Sequence, residues 1–159
     1  MNLINLENIT ALEPIPHKCK TEEVYRLNTD KISRSELEEL LLNPLQEAIE
    51  LHISKGGFYS RTPYDTALYI THLIWFTLES YTYLKYQGSR LTGLIIMGEV
   101  SSVHCDNAVG TYVNFNLEGE YKEFWKAARR EVVLEGYSWL VISKHLGSQS
   151  FSNKFIQLK

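Results

Sequence analysis

Apolar and polar positions change their period twice in the C-terminal half of the chain, and the change predicts a strand–helix–strand unit. Val109–Leu117 is rich in β-branched and aromatic residues, which favours a strand. Apolar residues then recur at helical spacing in Glu120–Glu135, and Gly136 ends that helix. The face they form consists of Tyr121, Phe124, Trp125, Ala128 and Val132. Ser138–Ser143 is a continuous apolar run, typical of a buried strand. We predict that Trp125 and Trp139 are both largely buried.

The N-terminal half begins with signals for one strand and two short helices. Val24–Leu27 predicts the strand. Ser35 and Glu38 have the spacing of a capping box, in which each side chain satisfies a free backbone N–H. Asn43-Pro44 is expected to end this first helix and start a second, because proline suits a first helical position. Gly56-Gly57 should terminate the second helix.

The central part of the chain predicts a further helix followed by a β-hairpin. Thr62–Asp65 has a helix-start pattern, and helical spacing continues to about Leu78, although the residue types of this segment favour a strand. Tyr81–Tyr86 and Leu91–Val100 predict two strands joined by a turn. Gly93 and Gly98, both within the second strand, suggest a bulge or a close backbone approach.

The chain is expected to end in a helix. His145–Gly147 should turn the chain, and Ser148 or Ser150 should cap a helix carrying Phe151, Phe155 and Leu158. Residues 1–20, with two prolines and no sustained period, predict an N-terminal arm. Residues 21–159 then form a single α/β (α+β) domain with one mixed sheet.

Composition and charge narrow the classes of function. The chain has 159 residues and a formal net charge of −3, which argues against nucleic acid and anionic lipid as partners. The most apolar segment, residues 67–84, is too polar for a membrane span. Two cysteines and an N-terminus unlike a signal peptide indicate a reducing, cytoplasmic location. The aromatic content of 12% can fill a core and still supply an interface with a protein partner, or an oligomer contact.

Candidate sites for metal or covalent chemistry are few. His104-Cys105-Asp106 places a thiol beside an imidazole, but neighbouring side chains in an extended chain point apart. His17 and Cys19, together with His104 and Cys105, match the ligand count of structural zinc but not its spacing. We therefore expect no metal site. No glycine-rich phosphate-binding motif occurs in the sequence.

The order of predicted elements resembles the acetyl-CoA-dependent N-acyltransferase (GNAT) superfamily, and in particular its small members in tailed bacteriophages. The resemblance implies a cofactor loop of the type R/Q-x-x-G-x-G/A before the central helix, whose amides hold the pyrophosphate. The matching residues here are Gly119, Glu120 and Tyr121, and Ser148 is a further candidate cofactor residue. One glycine remains, and the carboxylates of Glu118, Glu120 and Glu123 would repel a phosphate.

The family's second motif is also altered in this chain. The resemblance implies N-x-x-A-x-x-x-Y after the next strand, with the tyrosine as general acid, but the matching positions are Ser148, Phe151 and Phe155. It also implies two further strands, for which no residues remain after the predicted final helix. We therefore expect a non-catalytic protein without a cofactor, a virion component or host-directed factor of a phage, acting through protein contacts. The alternative is an active N-acyltransferase that binds acetyl-CoA and uses Tyr137 or His145 as acid or base.

Overall fold

One seven-stranded sheet runs through the structure, and its strands follow the order of the sequence. The structure is a computed structural model that describes residues 6, 9–76, 80–147 and 150–158, without the side chains of residues 144–147. The strands are β1 (Leu12–Pro14), β2 (Glu23–Leu27), β3 (Ser80–Gln87), β4 (Arg90–Val100), β5 (Ala108–Asn116), β6 (Trp139–Gly147) and β7 (Ser150–Gln157). The helices are α1 (Arg34–Ser54), α2 (Pro63–Phe76) and α3 (Tyr121–Leu134), and a 3₁₀ helix covers Thr29–Lys31.

Neighbouring strands are antiparallel except for β5 and β6, which are parallel and are connected by α3. A parallel pair requires such a crossover, because a tight turn cannot join two strands that run in the same direction. The predicted strand–helix–strand unit and the single mixed sheet are therefore confirmed. β1 lies within the segment predicted as an N-terminal arm and pairs with β2.

Two apolar cores lie on opposite faces of the sheet. α1 and α2 cover the first core and α3 covers the second. Alternate residues of a strand enter opposite cores, as a two-residue period requires. Leu84 and Leu94 thus belong to the first core, whereas Tyr83 and Ile95 belong to the second. Each fully buried aliphatic or aromatic side chain contributes about 1.5–3 kcal/mol.

The N-terminus of α1 differs from the predicted one by two residues. Ser33 is the N-cap: its Oγ accepts from the Glu36 N–H at 3.1 Å, and the Glu36 carboxylate accepts from the Ser33 N–H at 3.3 Å. This capping box has the same spacing as the predicted pair, Ser35 and Glu38, which does not form one. Both pairs satisfy the S-x-x-E pattern, so spacing alone could not choose between them.

α1 continues through Pro44 as one helix of 21 residues, so the prediction of two short helices was wrong. A proline in a helix interior removes one backbone hydrogen bond and costs about 3 kcal/mol. Buried residues continue on both sides of Pro44, and their burial offsets that cost. They include Leu40, Leu41, Leu45, Ala48 and Ile49. Gly56 and Gly57 terminate the helix as predicted: their N–H groups donate to the carbonyls of Ile53 and His52.

α2 begins at the predicted start signal, where Thr62 Oγ1 accepts from the Asp65 N–H at 3.1 Å. The segment left open between helix and strand is helical as far as Phe76, and Leu78 lies outside the described residues. No helix among the described residues is long and apolar enough to cross a membrane.

The C-terminal segment is a strand, and the prediction of a final helix was wrong. Phe151 and Phe155 have helical spacing, but β7 pairs with β6 from Trp139↔Gln157 to Gly147↔Ser150. The outer edge of β6 needs partners for its backbone groups, and β7 supplies them. Ser148 lies outside the described residues.

The two tryptophans predicted to be largely buried are only half-buried. The buried face of α3 consists of Phe124, Ala127, Ala128 and Val132. The centre of this face lies at Ala127 and Ala128, which is a different side of α3 from the centre of the predicted face. Trp125 therefore lies at the border of the buried face, and Tyr121 is 43% exposed. The close approach predicted at Gly93 is confirmed, since a Cβ there would lie 2.7 Å from the Phe124 ring.

Candidate functional site

The two parallel strands diverge soon after they begin. β5 and β6 share only three residue pairs, Ala108↔Trp139, Val109↔Leu140 and Gly110↔Val141. Beyond these pairs, residues 111–116 of β5 have no strand on their β6 side in the part of the chain that the structure describes. We call the space between residues 111–116 and residues 142–147 the cleft. α3 begins just after the carboxyl end of β5, the end of a parallel strand where ligands commonly bind.

The loop before α3 makes hydrogen bonds with the N-terminal segment of the chain. Gly119 has φ +82°, a left-handed conformation that favours glycine. Glu120 is the N-cap of α3, but its side chain makes no capping hydrogen bond. Its Oε2 instead accepts from the Lys20 N–H at 2.8 Å. The segment preceding β2 therefore crosses the residues predicted as cofactor-binding.

The carboxylate of Glu22 is buried against the start of α3. Glu22 Oε1 accepts from the Glu120 N–H at 2.8 Å, and Oε2 accepts from the Thr92 hydroxyl. The side chain is 1% exposed. A Cβ at residue 119 would overlap this carboxylate, so space as well as φ requires Gly119. An internal carboxylate thus accepts from the N-cap amide of α3, and backbone amides at a helix N-terminus are groups that favour an anion.

Lys85 of β3 neutralises this buried carboxylate. Its Nζ lies 3.3 Å from Glu22 Oε2 and is fully buried. The ammonium also donates to Asn116 Oδ1 at 2.5 Å and to the Glu118 carbonyl at 2.8 Å. All three N–H groups therefore have acceptors, as a buried ammonium requires. The network ties together β3, the end of β5, the loop before α3 and the segment before β2.

The environment of Glu22 favours its charged form. Burial alone would raise its pKa, but the hydrogen bonds from the Thr92 hydroxyl and the Glu120 N–H, with the Lys85 ammonium, outweigh that effect. The pKa of Glu22 is therefore lowered below its ordinary value of 4.5. The carboxylate stays ionised at neutral pH and keeps its negative charge against the Glu120 N–H, the N-cap amide of α3.

The other carboxylates predicted around α3 also lie near its start. Glu118 Oε1 pairs with Arg90 at 3.1 Å, and Glu123 Oε1 lies 3.8 Å from Lys126 Nζ. Tyr121 is exposed, and its hydroxyl accepts from Asn114 Nδ2 at 2.9 Å. Negative charge therefore surrounds the helix N-terminus, where the helix dipole stabilises it.

The two candidate acid–base residues lie at different ends of β6. Tyr137 is buried just before the strand, and its hydroxyl lies 3.2 Å from the Tyr81 hydroxyl. Because β5 and β6 are parallel, Tyr137 is at the end of the sheet opposite to the start of α3. His145 is on the far part of β6, paired with Phe151, and its side chain lies outside the described residues.

Among the described residues, no three His, Cys, Asp or Glu side chains gather as metal ligands, and this includes the two cysteine and histidine pairs considered in the sequence. The Cys19 thiol lies 4.0 Å from the Glu120 carbonyl. Burial, followed by the charges of Glu120 and Glu22, raises its pKa to about 11. The thiol is therefore protonated at neutral pH and a poor nucleophile.

Reasoning from the sequence missed the pairing of Glu22 with Lys85. The available signal was a lysine in the middle of Tyr81–Tyr86, where both neighbours belong to an apolar run. A charge at such a position predicts a buried partner of opposite sign, but nothing local identifies that partner.

Comparisons with known proteins give the fold. No family model matches the chain, and no curated protein does. Among solved structures, a ribosomal alpha-N-protein acetyltransferase, RimL, superposes with TM-score 0.56 and 13% identity over 87% of this chain and 75% of its own. The PaiA N-acetyltransferase from Thermoplasma acidophilum, in complex with coenzyme A, gives 0.54 and 13% identity over 82% and 83%. An aminoglycoside acetyltransferase from an uncultured soil metagenomic sample, in complex with sisomicin, gives 0.53 and 10% identity over 79% of each chain. The chain therefore has a GNAT acetyltransferase-like fold, as its order of elements predicted.

Proposed function

We propose that this chain is a non-catalytic protein that acts through protein–protein contacts on an acyltransferase-like scaffold. The observation that carries the proposal is the Glu22 carboxylate bound to the Glu120 N–H at 2.8 Å. A pyrophosphate at this helix N-terminus would need the same amide. It would also meet the charge of Glu22, which is held in place by Lys85 and Thr92.

The position that the resemblance assigns to a general acid holds no hydroxyl in this chain. By spacing, Phe155 matches the tyrosine of the family motif, but it lies on strand β7 and not on the predicted final helix, so the match rests on spacing alone. Phe155 lies opposite Val141, and its ring packs against His104 at 5.3 Å between ring centroids. Phe155 thus has a packing role.

The cleft and its surroundings offer a surface for a protein partner. The β6-side edge of residues 111–116 presents backbone groups that an added strand could pair with. Leu51, at the end of α1, is 40% exposed beside the end of β5. On the resemblance, we propose that the chain is a bacteriophage protein. Its partner would be a protein of the phage or of the host, contacted in the virion or in the host cytoplasm.

The alternative function is that of an acetyl-CoA-dependent N-acyltransferase with an atypical cofactor loop. Two observations favour it: the Thermoplasma acidophilum neighbour was solved with coenzyme A, and the cleft of this chain is open at the end of β5. Binding would then require contacts away from the Glu120 amide, with Tyr137 or His145 serving as acid or base.

Calorimetry and cross-linking together distinguish the two functions. Titration with acetyl-CoA and with coenzyme A should give no binding heat, and micromolar affinity for either would overturn the proposed function. A photo-reactive phenylalanine at Leu51 should cross-link one polypeptide from the native source. The same residue at Leu134, 76% exposed at the end of α3, is the matched control and should not.

A further inference from the structure

A cavity of about 180 Å³ lies between the C-terminal end of α1 and the carboxyl end of β5. Leu51, His52 and Lys55 line one side, and the consecutive residues 114–117 line the other. Side chains of a strand alternate between its faces, so four consecutive residues can line one cavity only at an edge or an end of the strand. The cavity therefore adjoins the bare edge of β5 in the cleft.

The cavity presents hydrogen-bond donors and positive charge. No salt bridge involves Lys55 among the residues that the structure describes. The side chain of Asn116 lies on the opposite, α3-facing side of the sheet, where its Oδ1 accepts from Lys85, so Lys55 supplies the positive charge of the cavity. Glu118, the carboxylate that follows these residues in sequence, is already paired with Arg90.

His52 adds a donor of defined geometry. Its Nδ1 lies 2.6 Å from the Tyr59 hydroxyl, and burial raises the pKa of Tyr59 to about 12. Tyr59 therefore keeps its proton at neutral pH and can donate it to Nδ1. When Tyr59 donates to Nδ1, the N–H of the ring is the one on Nε2. The T-shaped contact with Phe115, at 6.1 Å between centroids, fixes the ring beside the cavity.

Resting on the proposed function, we propose that this cavity binds the C-terminal carboxylate of a partner protein, whose last residues extend along β5. The carboxylate would meet Lys55 and the N–H donor of His52. An extended segment running parallel to β5 would place its carboxyl end at this end of the strand, because β5 points toward Asn116. Backbone pairing with residues 111–116 supplies affinity, and the terminal charge supplies the register.

The apolar part of the lining defines the last side chain of such a partner. Leu51 and Leu117 contribute aliphatic surface, and Phe115 contributes a half-buried ring. An apolar terminal residue would bury its surface here. The carboxylate of an exposed Asp or Glu side chain would lack the backbone pairing along β5. The expected ligand is therefore an extended peptide with an apolar C-terminal residue and a free carboxylate.

The probe is a degenerate pool of N-acetylated hexapeptides with free carboxyl termini, compared with the same pool as C-terminal amides. In nitrogen-15 correlation spectra of the whole chain, the free-acid pool should shift the amide signals of residues 114–117, and the amide pool should need about a tenfold higher concentration for the same shifts. A peptide enriched from the free-acid pool should lose affinity about tenfold on Lys55→Gln, the size expected for one charge-assisted contact. Lys31→Gln, about 30 Å away at the other end of α1, is the matched control and should leave affinity unchanged.

Each failure points to one of the two proposals. Equal binding of acids and amides, or no binding of either, overturns the carboxylate site. The proposed function survives that result if cross-linking at Leu51 still captures one partner and Leu134 does not. Binding of coenzyme A with shifts at residues 114–117 overturns the proposed function itself.

Discussion

The Glu22 carboxylate accepts a hydrogen bond from the Glu120 backbone N–H at 2.8 Å. This bond joins the segment before β2 to the N-cap residue of α3. The carboxylate is buried and carries a negative charge, and the Lys85 ammonium supplies the counter-charge. The contact therefore joins distant parts of the chain, and its contribution to stability can be measured.

Glu22→Ala should lower the free energy of unfolding by about 3–5 kcal/mol, because it leaves the buried Lys85 ammonium without its partner. Urea unfolding followed by far-ultraviolet circular dichroism measures the change. Glu23→Ala is the matched control: its side chain is 69% exposed and pairs with His17 at 3.5 Å, so stability should hardly change. Equal losses in the two variants would show that the Glu22–Lys85 pair contributes no more than a surface pair.

A small anion should restore part of the stability that Glu22→Ala loses. Formate can occupy the vacated position and accept from the Glu120 N–H, the Thr92 hydroxyl and Lys85. Its binding to the folded state raises the melting temperature through linkage. Sodium chloride at the same ionic strength controls for screening. A melting temperature that formate leaves unchanged would indicate that the network rearranges when the carboxylate is removed.

Stability should fall in acid because of Glu22. The pKa of Glu22 is lower in the folded chain than the ordinary value of 4.5, which the unfolded chain retains. Between these two pKa values the unfolded chain binds more protons than the folded chain. The contribution is therefore present above pH 4.5 and is lost as the pH falls through the folded pKa. Urea midpoints measured across this range should drop less steeply in Glu22→Gln than in the unchanged chain. Parallel pH profiles would contradict the assignment.

Pro44→Ala should stabilise the protein by about 1–2 kcal/mol. Alanine restores a helical N–H and removes the clash of the ring, although it also gives the unfolded chain more freedom. Glu47→Ala, one turn later on the exposed face of α1, is the control and should change stability little. A loss of stability in Pro44→Ala would mean that the neighbouring leucines pack only on a helix shaped by proline.

Some local signals predicted the local structure correctly. Thr62 with Asp65 and Gly56-Gly57 act through groups only a few residues apart, so both helix boundaries could be predicted. The capping box was misplaced by two residues because Ser33–Glu36 and Ser35–Glu38 have the same spacing. The larger errors arose where a local signal competed with tertiary contacts. Pro44 indicates a helix end, but burial on both sides of it maintains α1. Phe151 and Phe155 have helical spacing, but the unpaired edge of β6 makes their segment a strand.

The candidate site was predictable only in part, for a related reason. The sequence placed Gly119 and the surrounding glutamates at the start of α3, where the structure has them. The buried Glu22, which accepts from the Glu120 N–H there, lies far away in sequence within no motif. Its role depends on the order of β2, β3 and β4 in the sheet, which brings Lys85 and Thr92 beside it. Periodicity in one sequence does not contain that information.

The buried Glu22–Lys85 pair also constrains how this protein can evolve. Losing either charge alone leaves the other one buried and unpaired, whereas replacing both with apolar residues of similar volume can be nearly neutral. A change at one position alone therefore produces a poorly folded intermediate, whereas a change at both positions together does not. In homologous sequences, positions 22 and 85 should accordingly be inherited together, and lineages that have lost the acid should also have lost the base.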